Sequence, residues 1–149
     1  MRSLQPKRRS ERGNAMAWMA IVMVFLMVPL MGITMDVTRA MYVRTHLQTA
    51  NDAGCQAAAD SMRVPLFMDT GVQEINASLM YARAGQVFNA TLQDAKSVRF
   101  FPSLSLRLLT PTSVECTATA SVDRLIPSVV PEINLRVLTV SEMRARTKP

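Results

Sequence analysis

The chain has 149 residues and a formal net charge of +6; 49 % of its residues are hydrophobic, yet only 5 % are aromatic and 12 are methionine. That length holds one small domain, or a smaller domain with a membrane anchor, and excludes a large two-domain enzyme. With 19 % charged residues and two cysteines, a disordered chain, a collagen-like fibre, a disulfide-dense mini-protein and a polytopic membrane protein are excluded as well.

The charge is uneven. Arg2, Lys7, Arg8, Arg9 and Arg12 against Glu11 put +4 on residues 1–13, and the rest of the chain carries the remaining +2. A basic body would point to nucleic acid. A basic flank directly before an apolar run points to a membrane signal.

That run is Asn14 to Met35, 22 residues without a charge. As a helix it spans about 33 Å, the thickness of a hydrocarbon core. A cleaved signal peptide would have a shorter apolar region and a small-residue cleavage site. This run is longer and no convincing site follows it, so a retained anchor is expected. The positive-inside rule then places residues 1–13 in the cytoplasm and everything after about Asp36 outside it. Pro29 and Gly32 lie within the span, where a kink is tolerated if neighbours satisfy the freed backbone. Met16, Met19, Met23, Met27, Met31 and Met35 follow three- and four-residue spacing. Without a His or Cys beside it, this stripe reads as a flexible packing ridge toward lipid or another helix rather than a soft-metal site.

Past Met35 the helical period persists. Ala40, Val43, Leu47, Ala50, Gly54 and Ala57 form a heptad-like seam of mostly small residues, which permits close approach of another backbone or sheet. Arg44, Thr45, Gln48, Asn51, Asp52 and Gln56 fill the opposite positions. One helix from about Asn14 to Ser61 is expected, lipid-embedded in its first half and amphipathic in its second, with Pro65 ending any continuation. The single histidine, His46, falls within this helix and reads as a surface or packing residue.

These residues resemble the N-terminal segment of the TadE/TadG-like proteins of Tad (Flp) pilus assembly. The resemblance rests on the basic flank ending in Arg12-Gly13, the apolar span, and Asp36 followed by Arg39. It continues through Tyr42, Arg44, Leu47-Gln48, Ala50, Asp52-Ala53 and Ala57-Ala58-Ala59. It covers about 50 residues closely and extends loosely to the last two strands. TadE-type pseudopilins usually carry a Glu five residues after the Gly; Trp18 stands there, which moves the resemblance toward the uncleaved, TadG-like branch. The family implies a structural or assembly role in a pilus or related surface machine, in a bacterial cell membrane.

The outer residues read as a second helix and then strands. Thr70-Gly71-Val72-Gln73 fits a capping box, with a helical face through Val72, Ile75, Leu79 and Ala82 to about Ala90. From Ser97 the period becomes two. Val98 and Phe100 precede Pro102, which marks an edge or a break. Leu104, Leu106 and Leu108 alternate with polar residues, and Pro111 punctuates. Val114, Cys116, Ala118, Ala120 and Val122 make the clearest strand. Pro127 and Pro131 bracket a loop. Ile133, Leu135 and Val137 begin a last strand whose phase slips near Leu138, as at a bulge, and the basic tail from Met143 is expected to fray.

The expected fold is α+β: a long N-terminal helix, a second helix and a small antiparallel sheet of about three strands, pilin-like in outline. The expected divisions are a tail at 1–13, a span at 14–35, an extracytoplasmic continuation at 36–62 and a small α+β domain at 63–149. Asp36 and Arg39 stand one turn apart where the apolar run ends. They read as a membrane-boundary pair or as a contact to a neighbouring subunit's helix. Cys55 at the end of the long helix and Cys116 on the apolar face of the best strand can approach if that face packs on that helix. A disulfide and two separate buried thiols both fit.

No catalytic residue, cofactor or metal ligand set is found. Asp69-Thr70-Gly71 spells the aspartic-protease tripeptide but lacks a second lobe, and Asn76 and Asn89 begin glycosylation-like triplets of little weight. There is no phosphate loop, CxxC or nucleophile elbow. The partners expected are membrane lipid and other membrane or pilus-assembly proteins met through the transmembrane helix, with no nucleic acid and no small-molecule substrate. The alternative is an accessory single-pass subunit of a respiratory, photosynthetic or transport complex.

Overall fold

The computed structural model describes residues 11–95, 98–123 and 132–145. Its first element, α1 (Glu11–Ala59), is one helix of 49 residues. It crosses the expected boundary at Met35 without a break and carries Pro29 inside it. Two threonines beyond the proline turn their hydroxyls inward: Thr34 Oγ1 donates to the Leu30 carbonyl and Thr38 Oγ1 to the Thr34 carbonyl, each at 2.8 Å. A polar side chain that satisfies itself on its own helix is compatible with an apolar surrounding.

After α1 the chain turns sharply. The segments flanking the next helix pair with each other: Arg63 N–H donates to the Glu74 carbonyl (2.8 Å) and Asn76 N–H to the Ser61 carbonyl (2.7 Å). Between them lies α2 (Val64–Thr70), with Pro65 in its first turn, where the missing N–H costs nothing. The expected helix start at Thr70 is corrected here. Thr70 is the last residue of α2, and Gly71, at φ 74°, is its left-handed C-cap. The Thr70 hydroxyl accepts from Val72 N–H at 3.2 Å, a local turn rather than a capping box. The following helix, α3 (Ala77–Leu92), is capped instead by Asn76, whose side chain accepts from the N–H groups of Ser78 and Leu79.

Three strands follow, β1 (Phe100–Thr110), β2 (Ser113–Val122) and β3 (Ile133–Glu142), in one antiparallel sheet of order β1-β2-β3. Pro102 lies within β1, an edge strand, where one missing donor is tolerated. The expected irregularity near Leu138 is also corrected. β3 keeps continuous register with β2 from Ile133 to Glu142, and Leu138 and Val140 simply occupy its exposed face. The register shift falls in β1 instead, between Leu108 and Thr110, next to the Pro111–Thr112 turn. Met143 is held rather than frayed: its N–H donates to the Thr112 carbonyl at 2.8 Å and its side chain packs on the core.

The outer half of α1 is the centre of the core. Val43, Leu47 and Ala50 are buried against Phe88 and Leu92 of α3, Ala118, Ala120 and Val122 of β2, and Val137 of β3. A second cluster joins Cys55 and Ala58 to Met80 and Ala84 of α3 and to Val114 and Cys116 of β2. The sheet therefore lies on one side of α1 and α3 on another. Gly54 makes the second contact close: a Cβ there would stand 3.2 Å from the Ala84 carbonyl oxygen.

Candidate functional site

The two halves of α1 have opposite surroundings. From Met16 to Met35 every methionine of the stripe is exposed, as are Trp18, Phe25, Leu26 and Ile33. The most apolar 18-residue window of the helix is only 6 % buried, and by length and composition it is one helix able to cross a membrane. A contiguous apolar surface this large is not left to water in a stable soluble protein. Pro29 and Gly32 are half-buried on the same stretch.

Beyond Met35 the seam is enclosed by the protein itself. Val43, Leu47, Ala50 and Gly54 are buried and Ala40 and Ala57 half-buried, all on the side facing the sheet and α3. The seam is thus covered by the chain's own sheet and α3, while the first half of α1, its methionines included, stays uncovered. Asp36 is 2 % exposed and Arg39 half-buried; the ion pair joining two described residues is Arg63–Glu74, at 3.4 Å on the surface. Arg2, Lys7, Arg8 and Arg9 of the basic flank, the side chain of Arg12, and the Pro127–Pro131 loop lie outside the described residues.

Helix and sheet are joined at one level by five side chains, those of Cys55, Cys116, Asn51, Thr139 and Asp52. The sulfurs of Cys55 and Cys116 are bonded at 2.01 Å, with Cα atoms 5.7 Å apart, within the range a bridge requires. One turn earlier, Asn51 is fully buried. Its Nδ2 donates to the Cys116 carbonyl at 3.2 Å and to Thr139 Oγ1 at 3.0 Å. Thr139 Oγ1 in turn donates to Asp52 Oδ1 at 2.5 Å. Because the hydroxyl proton is committed to the carboxylate, the oxygen is free to accept from Asn51. Placing Asn51 on the outward polar face, as the spacing predicts, is therefore corrected: it reads the sheet. Asn51 and Asp52, adjacent polar residues beside a small-residue seam, give no sequence signal that separates the inward from the outward one.

The remaining sequence features have structural roles. The His46 ring packs at a tilt of 56° against Tyr42, with ring centroids 4.4 Å apart. Asp69-Thr70-Gly71 closes α2. Among the described residues no group of three His, Cys, Asp or Glu side chains could hold a metal ion.

An exposed apolar helix, long enough to cross a membrane, thus continues without interruption into the core of a small α+β unit. Residues 13–61 match the Tad family model, putative Flp pilus-assembly TadE/G-like, so the match lies over α1 and the turn that follows it and takes in the TadE and TadG branches together. This is a family of pilus-assembly components. No curated protein and no solved structure matches the chain.

Proposed function

We propose that this protein is a membrane-anchored structural component of Tad-type pilus assembly. It sits in the inner membrane with residues 1–13 in the cytoplasm, residues 14–35 across the bilayer, and residues 36–62 and 63–149 outside. The observation that carries the reading is the coincidence of the family match with α1, whose first half is exposed and apolar and whose second half is the core of the outer domain. The basic flank supports the orientation through the positive-inside rule. Trp18, standing where pseudopilins carry Glu, supports the TadG-like, uncleaved branch.

The mechanism is lateral packing. The small-residue seam is occupied by the protein's own sheet and α3, so the methionine stripe on the span is the surface that meets partner helices. Methionine suits this because its unbranched side chain adapts to irregular surfaces. The test is purification of the intact protein from its own cells in mild detergent. Pilus-assembly proteins should accompany it, and replacing Met23 and Met27 with Ser should reduce their recovery. Recovery instead with a respiratory, photosynthetic or transport complex would overturn the assignment.

A further inference from the structure

Asp36 ends the uncharged run in the sequence, but it does not end the apolar surface. The residue is 2 % exposed, enclosed within the protein. On the open side of α1, Val37 is 46 % and Met41 66 % exposed, while Thr38 spends its hydroxyl on the Thr34 carbonyl. Arg39 is half-buried, and the first exposed charge after the span is Arg44. Apolar surface therefore continues to Met41. From Asn14 to Met41 the helix rises about 42 Å, close to the full thickness of a bilayer with its headgroups.

That level on α1 coincides with the lower end of the sheet. Val43 and Tyr42 pack with Val122, Phe100 and Val98. Phe101, the next residue of β1, is 69 % exposed. With Leu92, Val98, Arg99, Phe100 and Pro102 it lines an open groove of about 470 Å³ on this end of the domain. Arg99 is exposed beside it. An aromatic ring next to a cation, held at the height of the headgroups, is the combination that favours a bilayer interface. The ring prefers the boundary region and the guanidinium meets lipid phosphate.

We propose that this end of the domain, around Arg99, Phe101 and Pro102, rests in the headgroup layer of the same bilayer that α1 spans. The occupant of the groove is phospholipid. The inference rests on the membrane-anchored reading above and adds to it a second contact, which fixes the tilt of the domain over the membrane.

The chain contains one tryptophan, Trp18, so fluorescence can test both contacts separately. The intact protein is reconstituted into phosphatidylcholine vesicles carrying bromine on the acyl chain, either close to the headgroup or near the bilayer centre. Three proteins are compared: wild type, Trp18→Phe with Phe101→Trp, and Trp18→Phe with Leu138→Trp. Leu138 pairs with Thr117, beside Cys116 and hence at the height of Asn51, well above Met41. The Phe101→Trp reporter should emit to the blue of a solvated indole and lose severalfold more emission to shallow bromine than the Leu138→Trp reporter does. An unquenched Trp18 in the wild type would overturn the spanning reading and this one with it. A quenched Trp18 beside an unquenched, water-like Phe101→Trp reporter would overturn the headgroup contact alone. Equal quenching of the Phe101→Trp and Leu138→Trp reporters would also overturn it, since the domain would then lie flat rather than on this end.

Discussion

At the scale of single residues, Asn51 does the most to set how the helix sits on the sheet. Two donors from one amide reach β2 and β3 at once, at the Cys116 carbonyl and the Thr139 hydroxyl. Truncation to Ala removes both bonds and opens a small void in a fully buried place. A buried hydrogen-bonding group lost in this way costs about 1–3 kcal/mol. Asn51→Ala should therefore lower the melting temperature of the intact protein in detergent. Asp52→Ala, removing an exposed acceptor of Thr139, should lower it less. Equal effects would show that the network draws its strength from Asp52. The sequence shows this site poorly. Asn51 and Asp52 are adjacent polar residues, and only the packing of β2 and β3 on α1 turns one in and the other out. The pairing of Cys55 with Cys116 was open for the same reason: two buried positions are legible from periodicity, but their separation depends on the register of a strand against a helix.

At the scale of elements, glycine placement separates close contacts from free ones. Gly54 on α1 faces the Ala84 carbonyl oxygen, a backbone atom that cannot swing aside, and Phe88 Cβ lies 3.4 Å from the position its own Cβ would take. Gly85, in the middle of α3, would put a Cβ into open space. Gly85→Ala should therefore stabilise the protein by about 0.5–1 kcal/mol through helix propensity alone. Gly54→Val should destabilise it by about 1–3 kcal/mol through overpacking between α1 and α3. Thermal unfolding of both variants in the same detergent decides the matter: a raised melting temperature for Gly54→Val would mean that the two helices are not held at this distance. The existence and type of the long helix, of β2 and of β3 are legible because each shows an unbroken period. The helix boundaries near Thr70 are not, because Thr-Gly-x-Gln satisfies a capping pattern while Gly71 in a left-handed conformation ends a helix. Leu138 is hard to read for a related reason: an apolar residue on the exposed face of a strand looks like a slip of phase.

At the scale of the whole molecule, two separate features favour a sheet outside the cytoplasm. The first is the +4 flank before the span, which favours retention of residues 1–13 in the cytoplasm. The second is the bond between Cys55 and Cys116, 61 residues apart, because such bridges persist in oxidising compartments and are kept reduced in the cytosol. The two agree only if α1 crosses the bilayer once between them. Closing a loop of that size contributes roughly 4 kcal/mol on the chain-entropy view, so the bridge matters to a domain with so small a core. Protein purified from cells with its thiols blocked, then denatured without reductant, should take up no alkylating reagent, and should take up two equivalents after reduction. In intact spheroplasts a membrane-impermeant maleimide should label Asp69→Cys, at an exposed site on α2, and should label Ser3→Cys only after lysis. Two reactive thiols in the unreduced wild type would mean that the bridge is absent in the cell. Labelling of Ser3→Cys from outside, with Asp69→Cys protected, would reverse the orientation and place the sheet on the cytoplasmic side.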